Sequence, residues 1–562
     1  MADVVDLIGS FGRWQGFLLA FVSYRGIITG FNNLAYVFLV TNNDHWCSHP
    51  DKQENMTEEE MKKIFIPYDN TSDSYSQCLM YDVPLNGTSY GEEVGNVTTV
   101  PCESWAYEEH VFGHSISNEW DLVCDRQWQK SLVQSSYMAC LMVGVILIGN
   151  LSDRYGRRIV ILWSSMCLGT FSVACVFSNS FYFFLATRVG IAFGISGLQV
   201  ACFTLLAETI GPRSRIALNI CYGYGWILGI LLLPGIVWLV GDWRKLQITN
   251  AVFVLSTLVM LPWVYESPRW LLSTGQTTKA CESIKKIASF NRRATQDIEK
   301  EVERLMEHKV GIDKSVRVKV STIELFKTKY LRRNTILLFS GSFFSYIVYY
   351  GSARSSTTLG GNPFFNFAIS AVVEFVGYTI SLATTKYVKR VPIMAVSYGF
   401  FGNVVRTCMS FFYVLFSHSS DLSAVRITIR MMGWLLYTLG FTTQFVYINE
   451  VFPTVARSGA FGLCTTVGRL GATLEPWIYI VMLSWGDKVV LIIYSAMILG
   501  IAALVTLLPE TFGSVLSDTL EEGERFSESK LSKRKRHVQD HAGYLEAYKK
   551  VPTEEGEAEI KF

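Results

Sequence analysis

The chain has 562 residues, 50% of them hydrophobic and 17% charged, with a formal net charge of +2 and a mean hydropathy of +0.27. Soluble domains carry about 25% charged residues, so the composition excludes an ordinary soluble globular protein; the net charge implies nothing about partners, and no segment suggests nucleic-acid binding. What remains is an all-α polytopic membrane protein. Residues 1–15 hold Asp3, Asp6 and Arg13 without a basic start, which reads as a short cytoplasmic N-terminus and not as a cleaved signal. Apolar runs of span length follow at about 16–40, 132–149, 159–178, 181–206, 217–240, 247–264, 334–353, 364–385, 392–416, 424–448, 459–484 and 489–508. Each is long enough to cross a hydrocarbon core of ~30 Å, giving twelve expected transmembrane helices.

The hydrophilic stretches between them are of opposite kinds. The loop 41–131 is acidic and contains four glycosylation sequons, at Asn55, Asn70, Asn86 and Asn96, together with Cys47, Cys78, Cys102 and Cys124. Sequons and cysteines together place it in an oxidising, extracellular or lumenal space, with two disulfides and three pairings open. The loop 265–333 is basic, lacks sequons, and shows helical charge patterning around 296–309, so it faces the cytoplasm. The chain therefore divides into a six-helix half at 16–264, a central cytoplasmic loop at 265–333, a second six-helix half at 334–508 and a charged cytoplasmic tail at 509–562. The tail, with its basic run Lys533–Arg536, reads as a solvated and disordered segment.

The charge knot Asp153, Arg154, Arg157, Arg158 lies between the second and third spans, where it cannot sit in hydrocarbon. It repeats in the second half. Residues 151–158 align with 383–390, and Glu208 followed by Arg215 aligns with Glu450 followed by Arg457. Two matches at equivalent places argue for two pseudo-symmetric halves related by an axis along the membrane normal, with a site near mid-membrane between them. In this alignment Thr385 replaces Asp153 and Val388 replaces Gly156, so the latch is expected to be held mainly from the N-terminal half.

Residues 149–158 resemble the loop motif of the major facilitator superfamily, and Glu266–Leu271 resembles a signature of solute carrier family 22, the organic cation, carnitine and organic anion transporters. The likeness extends over most of the chain, through Asn118–Cys124, Tyr349–Gly351, Leu359–Asn362 and Pro509–Thr511. It implies the major facilitator fold and secondary transport of small organic ions across the plasma membrane by alternating access. The expected substrates are organic cations or carnitine-like zwitterions; an organic anion carrier, or a transporter-like receptor or adaptor working through its outer loop, are the competing readings. It also implies latch pairs of Asp153 with its arginines, Glu208 with Arg215, Glu450 with Arg457, and Glu266 with Arg269.

Charges inside spans cost ~2.5–3.5 kcal/mol each at the centre, so they point to substrate, ion or partner. Arg469 in the eleventh span matches a family position that is basic in anion and carnitine carriers, and its guanidinium suits a carboxylate. Glu374, in the eighth span, resembles a cavity-facing family glutamate. Glu475 and Arg354 depart from the family's apolar types; Glu475 either adds a carboxylate to the site or is a rim residue at the helix end, and Arg354 is expected to lie at the outer rim. Tyr349, Tyr350, Tyr224, Trp226 and Tyr447 supply aromatic faces for a quaternary ammonium. Arg25 either lines the cavity or pairs with a carboxylate, while Arg406 and Arg430 read as structural or snorkelling. No phosphate loop, zinc-type spacing or nucleophile elbow is present, so an enzyme, a metal and a resident cofactor are not expected; a coupling ion, sodium or proton, is left open.

Overall fold

The computed structural model describes residues 4–9, 11–41, 43–48, 57–69, 74–81, 98–108, 113–211, 215–293, 298–304, 322–357, 361–401, 423–483, 485, 487–514 and 516–531. The four sequons, Arg406 and the Lys533–Arg536 run lie outside these residues, as does the side chain of Arg215. The first half consists of α1 (Arg13–Leu34), α2 (Trp128–Tyr155), α3 (Arg157–Val176), α4 (Phe181–Thr209), α5 (Arg215–Val240) and α6 (Trp243–Met260). The second consists of α7 (Lys329–Ser355), α8 (Pro363–Thr384), α9 (Arg390–Ala395, continued by a π turn at Val396–Phe401), α10 (Ser423–Val451), α11 (Arg457–Leu483) and α12 (Asp487–Thr506). Among the described residues, seven helices are long and apolar enough to cross a membrane by composition. Others, such as α1, fall short because they bury polar groups inward: Gln15, Arg25, Asn32 and Asn33 are all shielded from solvent.

Local chemistry sets the helix starts. The Ser180 hydroxyl accepts from Phe183 N at 3.3 Å to begin α4, and the Asp242 carboxylate accepts from Arg244 N at 2.6 Å to begin α6. Asn362 caps α8, with Pro363 at its first turn. Small residues then let backbones approach, as they do between helices in lipid. A Cβ on Gly30 would stand 2.3 Å from the Trp226 carbonyl oxygen, and one on Gly225 would stand 2.2 Å from that of Ser23, so α1 and α5 touch backbone to backbone.

Within the first half α1 packs on α5, and α2 and α3 pack on α4; within the second, α7 packs on α11 and α8 on α10. The halves meet along two seams, α2 against α11 and α5 against α8. Among its described residues, the long loop of the first half holds three two-stranded antiparallel sheets, one pairing His45–Cys47 with Trp105–Tyr107. Its end of the molecule is called the loop end here, and the other the terminal end. At the terminal end, residues 520–531 form a helix, contrary to the expectation of a disordered tail. Glu524 there accepts from Tyr330 N and Leu331 N, both at 2.8 Å, and so caps the first turn of α7. The central segment is also structured, with helices at Pro268–Ser273, Thr277–Phe290 and 298–304.

Of the three cysteine pairings open from sequence, the structure selects Cys47–Cys102 and Cys78–Cys124. Non-reducing peptide mapping of the folded chain is expected to recover these two linkages. Recovery of Cys47 linked to Cys78 or Cys124 would contradict the arrangement.

Candidate functional site

At the terminal end of the first half, Arg157 gathers three helices. Its Nη2 donates to Asp153 Oδ1 and to Glu208 Oε1, each at 2.9 Å, and its Nη1 donates to the Ser152 carbonyl at 2.8 Å. Glu266 caps the start of α3 by accepting from the backbone N–H of Arg157 at 2.9 Å and of Arg158 at 3.0 Å. Burial pushes the Glu266 carboxyl above the ordinary glutamate range, against the stabilising pull of those N–H groups. The chain turns at Gly156 with φ +104°, and a Cβ there would stand 2.5 Å from Glu266 Oε2. That conformation is essentially reserved to glycine. The Glu266 carboxylate thus serves the backbone of α3.

The second half repeats this clamp with a different register from the one read in the sequence. Arg390 donates through Nη2 to Glu450 Oε1 at 2.9 Å, and Glu510 accepts from the backbone of Arg390 at 2.9 Å and Val391 at 3.0 Å. Arg390 therefore stands where Arg157 stands, and Glu510 where Glu266 stands. The alignment of 151–158 with 383–390 is off by one position. Glu450 pairs with Arg390 rather than with Arg457, whose Nε donates to the Phe452 carbonyl at 3.4 Å. Tyr447, expected in the cavity wall, is buried beside this clamp and donates to the Pro509 carbonyl at 2.7 Å. Asp153 is 75% exposed, against 22% for Glu208, so the stronger hold on Arg157 comes from Glu208. Arg154 is also exposed, its guanidinium lying 5.5 Å from the Tyr155 ring.

Deeper in the bundle, Arg469 sits midway along α11 and crosses the seam. Its Nη1 donates to the Leu141 carbonyl of α2 at 3.0 Å, and its Nη2 to Gln199 Oε1 of α4 at 2.6 Å. Both partners are neutral, and among the described residues no carboxylate lies within ion-pair reach of Arg469. Glu374, midway along α8, is 8% exposed. Its carboxylate accepts from Tyr349 Oη at 3.1 Å, and Trp226 Nε1 donates to that same hydroxyl at 3.2 Å. This relay joins α5 of one half to α7 and α8 of the other. Tyr349 stacks on Phe441 at 5.5 Å and lies 5.5 Å from Trp434, while Tyr437 stacks on both. These three α10 residues were not singled out from the sequence, although their spacing of three and four marks one helical face. Arg188, fully buried in α4, was also passed over as a lone charge in an apolar run. Its Nη2 donates to the Asn32 carbonyl at 3.0 Å, and the group lies 4.6 Å from the Tyr137 ring.

Toward the loop end the centre is sealed. Arg354 Nη2 donates to Glu475 Oε2 at 3.1 Å, and Tyr494 Oη donates to Glu475 Oε1 at 3.2 Å. Glu475 is 0% exposed, so it is committed to Arg354 and adds no free carboxylate to the central site. Tyr36 donates to the Tyr350 carbonyl at 3.3 Å, and Asn33 reaches the Tyr350 hydroxyl at 3.5 Å. Ser131 and Ser135 of α2 donate to the carbonyls of Pro476 and Thr473. A cavity lined by Tyr349, Glu374, Arg430 and Trp434 has a volume of about 20 Å³, room for roughly one water. Tyr224 shares a 3.1 Å hydrogen bond with Thr379 on the α5–α8 seam. Arg430 ties α10 to α7 by donating to the Ser352 carbonyl at 2.8 Å. Arg25 of α1 is 2% exposed, and its guanidinium lies 4.8 Å from the Tyr222 ring centre.

Twelve helical segments in two repeated halves, with charged residues at the seam between them, define a membrane transporter of the major facilitator type. The chain belongs to the sugar (and other) transporter family, whose model matches residues 18–522. Its relatives include an organic cation transporter protein of Drosophila melanogaster, 28% identical over 93% of this chain and 94% of that one. Human solute carrier family 22 member 13 is 29% identical over 93% of each chain. Organic anion transporter 3 of Oryctolagus cuniculus is 27% identical over 95% of each. The fold is shared with the E. coli xylose transporter in a partially occluded inward open conformation, at a TM-score of 0.59 and 15% identity over 90% of this chain and 100% of that one. These are non-enzymatic carriers, in line with the missing catalytic motifs.

Because Glu208 and Glu450 hold equivalent arginines, Glu208→Gln and Glu450→Gln are expected to destabilise the solubilised chain similarly. Each loses a charge-assisted hydrogen-bond pair of about 1.5–3 kcal/mol. Thermal midpoints measured side by side check this; a fall in only one variant would mean that the halves are latched unequally after all.

Proposed function

We propose that this transporter carries small organic ions bearing a carboxylate, with a carnitine-like zwitterion the best fit. The observation behind this reading is that Arg469 and Glu374, both midway through the bundle, have only neutral partners among the described residues. A buried charge without a counter-charge is costly, and a solute carrying both charges relieves both sites at once. The guanidinium suits the carboxylate. Glu374, with the Tyr349, Trp434, Tyr437 and Phe441 faces, suits a basic or quaternary nitrogen, each good aromatic contact adding about 0.5–2 kcal/mol. A plain cation leaves Arg469 unmatched, and a plain anion leaves Glu374 unmatched.

Transport proceeds by alternating access at the plasma membrane, with the disulfide-linked loop outside and both termini in the cytoplasm. The distribution of bonds between the halves supports this cycle. Seals at Tyr36–Tyr350, Ser131–Pro476 and Ser135–Thr473 lie toward the loop end, whereas the clamps at the terminal end each stay within one half. Each half thus keeps its own rigid base while the bonds between halves are exchanged.

Labelled uptake into cells expressing the chain tests the reading with carnitine, tetraethylammonium and a dicarboxylate. Wild type is expected to show saturable carnitine uptake. Arg469→Asp should lose carboxylate-bearing substrates at least tenfold in kcat/KM while retaining any cation uptake. Equal loss of all three solutes, or no saturable uptake of carnitine, would reject the zwitterion assignment.

A further inference from the structure

Arg25 is an interior group that the transport reading does not use. It lies midway along α1, 2% exposed, and its Nε, Nη1 and Nη2 are all buried without a hydrogen-bond partner. No acidic side chain among the described residues pairs with it; the guanidinium rests on the Tyr222 face at 4.8 Å. It cannot snorkel to a membrane surface, because the backbone contact of α1 with α5 presses it inward: a Cβ on the neighbouring Gly26 would stand 2.9 Å from the Tyr222 carbonyl oxygen. A ring face offsets part of the charge but supplies no acceptor for the five N–H groups.

Tyr222 also meets the Phe203 ring of α4 at 5.4 Å, so the group lies where α1, α4 and α5 converge. Tyr222 lies within electrostatic reach of Tyr137 and Tyr346, and both of these lie within reach of Arg469. On α4, Cys202 is within reach of Arg25, and one turn away Gln199 accepts from Arg469. Three guanidiniums, Arg25 and Arg188 from the first half and Arg469 from the second, therefore flank the same tyrosine cluster, and of these Arg25 alone has none of its nitrogens hydrogen-bonded.

We infer that Arg25, with Tyr222 beneath it, forms a second anion subsite in the N-terminal half, binding a small monoanion beside the Arg469 site. The inference rests on the transport reading. The monoanion is either a free halide or the carboxylate of the transported solute; both present the compact negative charge that the unpaired guanidinium lacks. Held by Arg25 in one half, it lies close to the seam, so its occupancy bears on how the halves come together.

The test uses the full-length chain in detergent, with thermal midpoints titrated against sodium chloride and, separately, carnitine, in a bulky sulfonate buffer. Wild type is expected to be stabilised by at least one of the two. Arg25→Gln should weaken that response at least tenfold in midpoint concentration. Loss of the chloride response with the carnitine response intact identifies a free halide. Loss of the carnitine response where wild type ignores chloride identifies the substrate carboxylate. If Arg25→Gln does not yield a monodisperse protein, Arg25→Lys keeps the charge and should retain the wild-type response. A wild type indifferent to both anions, or unchanged titrations in Arg25→Gln, overturns the inference. If those unchanged titrations accompany loss of carnitine uptake in Arg469→Asp, the transport reading stands and only the Arg25 subsite falls.

Discussion

The structure depends on one arrangement made twice: an arginine at the first turn of a helix, gripped by a glutamate from the next helix, above a second glutamate that caps the backbone. Arg157, Glu208 and Glu266 make it in the first half, and Arg390, Glu450 and Glu510 in the second. The first set ties three helices, and the second ties two helices and the turn before them, each to the segment that follows its half. The first N–H groups of a helix lack partners within the helix, and a carboxylate placed there answers both those donors and the helix dipole. Rigid bases of this kind let six helices move as one body, which a rocking mechanism requires.

Between these bases the molecule concentrates charge where hydrocarbon makes it expensive. Arg354 and Glu475 neutralise each other at the loop end and join α7 to α11. Arg469 and Glu374 do not meet a counter-charge among the described residues and are held by neutral groups, which fixes their geometry without quenching them. The contrast separates a structural pair from candidate binding groups better than residue type does. Glu475 and Glu374 are both buried glutamates in spans; only their partners tell them apart. Relatives named for organic cations and for organic anions resemble this chain almost equally along its length, so the architecture alone does not decide substrate charge.

The sequence order of importance among the latch residues changes once packing is known. Asp153 is the conspicuous carboxylate in the charge knot, yet it is solvent-exposed and screened. Glu208 lies more than fifty residues away in sequence and takes the arginine in a more buried place. Placing Arg390 on Arg157 sets Lys386 opposite Asp153, so the second knot keeps its arginine and its Glu450 partner but has no counterpart of the exposed carboxylate. Lys389 sits where Gly156 sits, and the helix before it ends earlier, at Thr384, so the chain reaches Arg390 by a wider turn that needs no glycine.

By itself the sequence determined the class of protein, the two six-helix halves, the opposite characters of the two large loops and the cysteines available for pairing. These follow from hydropathy and charge along the chain, quantities local to each segment. Tertiary structure decided the disulfide connectivity, the pairing of Glu450 with Arg390, the withdrawal of Glu475 and Tyr447 from the centre, and the docking of residues 520–531. It also brought out Arg188 and the Trp434, Tyr437 and Phe441 face. Each of these depends on which helix faces which, and a side chain's charge or ring acquires its role only from the partner that packing places within about 3–6 Å of it.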